Sequence, residues 1–184
     1  MSFLANHMLV ALPALQDAHF GRSVTLLCQH DADGAMGVVI NRASEFTFGS
    51  LFEQMQIPLR DERLRDRRVL AGGPVHVERG FVLHDGDGHW DSTLTIAGGL
   101  HVTTSRDVLE AMAEGEGPSN AVLALGCAGW GRGQLEQELV QDSWLAVPAD
   151  PQVLFDTPID ARWQAAAGRL GVDMIHLASH SGHA

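Results

Sequence analysis

Lysine is absent from this 184-residue chain: its twelve basic residues are all arginine, and they face twenty-three Asp and Glu for a formal net charge of −11. Binding to duplex DNA rests on neutralising phosphates with Lys and Arg, so direct nucleic-acid binding is not expected. The densest basic stretch, Arg60 to Arg68, sets five arginines against Asp61, Glu62 and Asp66. That interleaving reads as a solvated linker or short helix with local ion pairs. Cysteine is equally scarce. Cys28 and Cys127 are far apart in the chain, each inside a hydrophobic run, which reads as two buried thiols in a reducing compartment. No apolar run reaches the roughly 20 residues of a membrane span. The opening MSFLANHMLVALPAL lacks a basic leader and is cut off by Pro13 and Asp17, so it reads as a first strand rather than a signal peptide. A cytoplasmic protein without a membrane partner is expected.

Catalytic signatures are missing too. There is no G-x-S-x-G elbow, no G-K-[ST] of a phosphate loop, no G-x-G-x-x-G and no H-E-x-x-H helix. His30–Asp31 and His84–Asp85 are sequence neighbours whose side chains alternate faces on a strand, which makes them poor acid–base couples. His176 and His180 have i, i+4 spacing, but with His183 they lie in a tail that reads as frayed. Asp31, Asp33 and Gly34 make a plain turn rather than a calcium loop, since the further acidic ligands are lacking. No catalytic residue, cofactor or metal is expected.

What is present is ordinary globular material, 45% hydrophobic and 19% charged, of a length that suits one domain over 1–184. Met8–Leu12, Val24–Gln29 and Met36–Ile40 read as buried strands, the first two joined around Asp17 and Gly21. Phe48–Met55 has the spacing of a short amphipathic helix capped by Thr47. Strands follow at Val69–Ala71, Phe81–Leu83 and Thr93–Ala97, the last two forming a hairpin through Asp85-Gly86-Asp87-Gly88. Beyond them helix and strand alternate. A helix capped by Thr104 with Asp107 ends at Gly115 and Pro118, and Ala121–Leu125 is a strand. A helix near Gln134–Gln141 precedes strands at Trp144–Val147 and Val153–Phe155. The last helix has Thr157 as cap, Pro158 at its first position, a stripe of Trp163, Ala166, Ala167 and Leu170, and Gly171 as its stop.

Two glycine-built segments are the candidate interaction surface. Gly72-Gly73-Pro74 permits a reversal that side chains would block. Gly126 to Gly133 reads as a loop between strand and helix, and Gly129, Trp130, Gly131, Arg132, Gly133 and Gln134 are its candidate contact residues. Bare backbone N–H groups in such a loop can face an anion. However, Glu136 and Glu138 in the following first turn already complement the helix dipole and would repel phosphate.

These segments also carry a resemblance. Leu9–Asp17 with Phe20, His30, GAMGVVIN (34–41), GGPV (72–75), RGFVLH (79–84), GWGRGQLEQE (129–138), Trp144 and Arg162-Trp163 occur in the order found in the YqgE/AlgH family of bacterial proteins, which the chain resembles over nearly its full length. Cys127 departs from the pattern, where an aromatic, usually tyrosine, is more typical. The resemblance implies an α+β fold whose mixed, strongly bent sheet curls into a partial barrel with helices packed outside. It also implies a loose association with transcriptional control and no assigned activity, cofactor or metal. The expected role is a non-enzymatic regulatory or adaptor protein that acts on a protein partner, with Trp130 as the hot-spot residue. The alternative is a small-ligand-binding protein or enzyme using the Gly126–Gly133 loop.

Overall fold

A computed structural model describes residues 3–13, 15, 20–86 and 90–169. Buried apolar runs form β1 (His7–Ala11), β2 (Val24–Asp31) and β3 (Gly34–Val39). A short irregular strand, β4 (Ala43–Thr47), leads into α1 (Phe48–Gln54). Thr47 caps α1 as expected: its hydroxyl accepts the Ser50 amide at 3.1 Å, and the Ser50 hydroxyl accepts the Thr47 amide at 2.9 Å. After one 3-10 turn at Glu62–Leu64 come β5 (Arg68–Ala71), β6 (Val75–His84), β7 (Thr93–Ala97) and β8 (Leu100–Thr103). The chain then alternates α2 (Arg106–Ala113), β9 (Ala121–Trp130), α3 (Gln134–Val140), β10 (Trp144–Pro148) and α4 (Arg162–Gly168).

The strands join in the order β10-β1-β2-β3-β9-β6-β8-β7, with β4 beside β5 and β5 parallel to β9. Every other pairing among the described strands is antiparallel, so the sheet is mixed, and it curls into a half-barrel. Side-chain alternation divides its faces. On β1, Met8 and Val10 enter the cluster that strands from both ends of the sheet share, while Leu9 and Ala11 face a second cluster under α3. On the outer face of the other half, α1 and α2 cover Val69, Val82, Ala121 and Leu123. Ala166 and Ala167 of α4 belong to the shared inner cluster, and the Trp163 indole ties that helix to the Ala11 carbonyl at 2.8 Å.

β9 is the spine. Ala124 and Leu125 pair with β5 on one edge and with β6 on the other, so the chain must change edges between β5 and β6. It does so at Gly72–Pro74, crossing directly over Gly126 and Cys127. Gly72 donates to the Leu125 carbonyl at 2.7 Å, and its own carbonyl accepts from Val39 at 2.8 Å. A Cβ on Gly72 would overlap the Gly126 carbonyl oxygen, one on Gly73 the Cys127 carbonyl, and one on Gly126 the Gly73 carbonyl. Gly73 and Gly126 also have φ of 148° and 82°. The kink at Gly126 shifts the alternation by one residue. Val122, Ala124 and Cys127 face the shared cluster, whereas Ala121 and Leu123 face α1 and α2, and Ala128 and Trp130 face α3.

Several expectations are corrected. The segment from Gly126 to Trp130 is strand, not loop: Ala128, Gly129 and Trp130 pair with Gly37, Met36 and Ala35. Only Gly131 to Gly133 turn before α3. The strands around Phe81–Leu83 and Thr93–Ala97 are not hairpin partners, because β8 lies between them. The hairpin is β7–β8, whose turn is made by Gly98 and Gly99 at φ 60° and 82°. Val153–Phe155 forms a π-helical turn (Gln152–Asp156); Asp150 supplies its start by accepting the Gln152 amide at 2.9 Å. The α2 cap is Ser105, one residue past Thr104, and Asp107 accepts the Ser105 hydroxyl at 2.6 Å. The Thr157 hydroxyl points back to the Gln152 carbonyl at 3.0 Å, and Pro158 introduces a 3-10 turn at Ile159–Ala161 before α4 begins. Asp17, Asp87, Gly88, Leu170, Gly171 and the histidines of the tail lie outside the described residues.

The crossing predicts a contrast among glycines. Gly73→Ala and Gly126→Ala combine strained φ with backbone overlap and should each lose at least about 2 kcal/mol. That corresponds to a drop of roughly 5 °C or more in thermal midpoint for a chain this long. Gly129→Ala, with open space where its Cβ would sit, should stay within about 0.5 kcal/mol. Thermal melts of the three variants check this.

Candidate functional site

The two glycine segments meet, but as packed backbone. Gly72 is buried and Gly73 half-buried against Cys127, while Pro74 is exposed. Further along, Gly129, Gly131, Arg132, Gly133 and Gln134 are exposed, but Trp130 between them is 6% exposed. Trp130 is not displayed. Its indole N–H donates to Glu138 Oε1 at 3.1 Å, and the Trp144 indole donates to the same oxygen at 2.9 Å. The two rings meet edge to face at 6.0 Å, with Phe20 against both. Gln134 completes the knot, donating to Glu138 Oε2 at 2.9 Å and accepting the Gly131 amide at 3.0 Å. Burial of an indole requires an acceptor, and one carboxylate serves two. Glu138 is therefore a buttress, and Arg132 is the exposed charge of the turn, 3.9 Å from Asp33.

Three other groups carry potential chemistry. Cys28 and Cys127 are free and buried. Burial pushes the Cys28 thiol up to about 12 and raises Cys127 despite the opposing charge of Arg79, the reverse of an activated nucleophile. Cys28 is the bulge residue of β2, and β3 separates it from Cys127 on β9. Two strand spacings place their backbones roughly 10 Å apart, beyond the ~7 Å reach of a disulfide.

His30 pairs not with Asp31 but with Glu136 on α3, a partner 106 positions away. Its Nδ1 accepts the Leu4 amide at 2.9 Å, so Nε2 carries the proton and donates to Glu136. That bond holds the Glu136 carboxyl below the usual carboxylate range. His84 resembles a catalytic arrangement more closely. Its Nδ1–H donates to the Asp85 carbonyl at 2.9 Å, leaving Nε2 to accept the Thr103 hydroxyl at 2.7 Å, which in turn accepts from Thr93 at 2.8 Å. A hydroxyl oriented by an imidazole is the pattern of an activated nucleophile. Yet His84 and Thr103 are both 0% exposed: the imidazole is enclosed, and Thr103 borders an apolar groove.

The sequence reading missed an open feature. Val75 pairs with Cys127 and Gly80 with Leu125, so four β6 residues, 76–79, stand opposite Gly126 alone and arch outward. His76 sits at φ 49°, and Val77 on the arch is 57% exposed, with Val75 at 39%. Beside the arch, α1, α2, β6 and β9 enclose a mainly apolar groove of about 460 Å³. The sequence marks this feature only by Val75-His76-Val77 after Gly73-Pro74, and periodicity does not tell exposed Val from buried strand.

A half-barrel sheet with α1, α2 and α3 on its outer surface and a backbone crossing at its spine defines a structural class of α+β protein. The profile described as DUF179, AlgH-like, matches residues 8–175, and the chain belongs to that family. It is similar to a UPF0301 protein of Xanthomonas campestris pv. campestris, 61% identical over 181 residues that span 98% of this chain and 96% of the relative. A UPF0301 protein of Stenotrophomonas maltophilia is 61% identical over 180 residues, with the same coverage of both chains. The solution structure of the AlgH protein from Pseudomonas aeruginosa superposes with a TM-score of 0.81 at 44% identity, covering 100% of this chain and 97% of that one. A Corynebacterium diphtheriae protein shares the fold at 22% identity, with a TM-score of 0.74 over 95% of this chain and 91% of that one. No described helix is long and apolar enough to cross a membrane.

His84 generates a pH prediction. Burial lowers its pKa below the ordinary 6.5, outweighing the Asp85 carbonyl. Below pH 6.5 the unfolded chain therefore takes up a proton that the native site resists, so stability is full above that value and falls as pH drops towards the native pKa. Urea midpoints at pH 7.5 and 5.0 should fall less for His84→Gln than for the wild type; an equal fall would exclude His84 as a source.

Proposed function

We propose that this chain is a non-enzymatic regulatory or adaptor protein, loosely associated with transcriptional control, that works by contacting a protein partner. The observation that carries the reading is the 76–79 arch, which holds Val77 in solvent with Val75 at its foot. A segment tied into the β9 ladder at both ends is preorganised, and an ordered apolar projection binds with less loss of freedom than a free loop. Pro74 is exposed beside the arch, and Gly129 near the end of β9 and Gly131–Gln134 in the turn into α3 are exposed as well. The reactive candidates support a non-enzymatic role: Cys127 is held as a thiol, His30 is engaged on both nitrogens, and the His84 imidazole is buried.

The net charge of −11 gives a long-range attraction to partners of basic overall charge, so association with one should slow as salt rises. The arginine stretch supports no nucleic-acid role. Arg60 faces Glu114, Arg63 faces Asp61, Arg65 faces Glu62, and Arg67 donates to the Ala121 carbonyl. The link to transcriptional control is carried over from the family resemblance. The test is affinity capture from the native host with wild type, Val77→Asp and Arg132→Glu, each verified as folded by circular dichroism. Val77→Asp should reduce recovery of a specific protein at least about tenfold, equivalent to 1.4 kcal/mol. Undiminished recovery with both variants would refute the proposed surface.

A further inference from the structure

The groove beside the arch has a different logic from a flat contact surface. Leu123 and Leu125 of β9 floor it, with Leu51 and Met55 on the α1 side and Leu109 on the α2 side. Its volume of about 460 Å³ lies within the ~300–1,000 Å³ range of small-molecule sites, which are mostly apolar with a few convergent polar groups. It is too small for a helix, whose diameter with side chains is about 10–12 Å. Among the lining residues Arg106 is the single cation and Glu78 the single carboxylate. They are not equivalent. The Arg106 guanidinium is held by the Met55 carbonyl at 2.8 Å, with Glu110 at 3.8 Å. Of its five N–H donors, those neither engaged by Met55 nor facing Glu110 remain for a carboxylate. Glu78 stands exposed on the arch. A fixed cation beside an apolar trough selects an anionic head and an aliphatic tail.

We propose that the groove between α1 and α2 binds a free, medium-chain aliphatic carboxylic acid, its chain over Leu123 and Leu125 and its carboxylate on Arg106. This site is independent of the partner reading, although Val77 and Glu78 belong to both its lining and the arch. The variants that test it therefore avoid the arch. Gly80 lines the groove, has no strained φ, and a Cβ there would meet only the Leu123 side chain, at 3.7 Å. Gly80→Phe should fill the trough while leaving the backbone undisturbed.

The experiment is a ¹H–¹⁵N titration of the full chain with octanoate, 1-octanol and octylamine at pH 7.5. Octanoate should saturate shifts at Gly80, Leu109 and Leu123 below millimolar concentration and bind more tightly than the other two. Gly80→Phe should weaken it at least tenfold, and Arg106→Gln should abolish the preference for octanoate over octanol. A second plug, Leu125→Phe, at a lining position that is only half-buried, guards against misfolding of the first. The proposal falls if octanoate does not saturate, if octylamine binds more tightly, or if folded plug variants bind octanoate unchanged. Because octanoate binding is read directly on the chain, it can fail while partner capture succeeds, and the reverse.

Discussion

The close passage of Gly72–Gly73 over Gly126–Cys127 is the constraint from which the remaining architecture follows. A chain leaving β5 on one edge of β9 reaches β6 on the other only by laying peptide on peptide, with no room for a Cβ at three positions. The same passage kinks β9 and shifts its side-chain alternation. One strand thereby feeds the shared inner core, the α1/α2 layer and the α3 layer. A one-residue change of phase redirects every subsequent side chain. That shift places Ala128 and Trp130 under α3.

Much of the family's sequence pattern resolves into this framework. GGPV is the crossing. In GWGRGQLEQE, Trp130, Gln134 and Glu138 build the knot that also receives the Trp144 indole, while Glu136 reaches His30. Arg162 is buried and donates to the Ile40 and Thr157 carbonyls, and Trp163 binds Ala11, so that pair fastens α4 to the start of the fold. Cys127, where the family prefers an aromatic, faces the inner cluster rather than Trp130, which leaves the knot intact. These motifs specify how the sheet bends, and the surfaces open to other molecules lie beside them.

Local rules made most elements legible. Alternation and apolar runs located β1, β2, β3 and β10, and Thr47 marked the start of α1. The errors arose where tertiary pairing overrode local pattern. Glycines in Gly126–Trp130 resemble a loop because glycine disfavours strand; there the need for close backbone approach prevailed. Asp85-Gly86 promised a hairpin, but Gly98 and Gly99 make the turn, and β8 separates the supposed partners. Residues 43–47 have one irregular pairing partner and little periodicity to announce a strand. For the site, the gap was larger. Trp130 promised a hot spot, and only the location of Glu138 on the facing turn of α3 reveals that its N–H is satisfied inside. His30 and Glu136 are linked across 106 positions, a pairing no local spacing encodes.

The central claim is that β9 continues through its glycines as one strand joined to both halves of the sheet. Native-state hydrogen exchange measures this directly, since amides that open only with the whole fold share its free energy. The slowest amides of Cys127–Trp130 should match the slowest of Ala121–Leu125 and share their denaturant dependence. Exchange in Cys127–Trp130 at the rate of the Gly131–Gly133 turn, while Ala121–Leu125 remains protected, would contradict the claim.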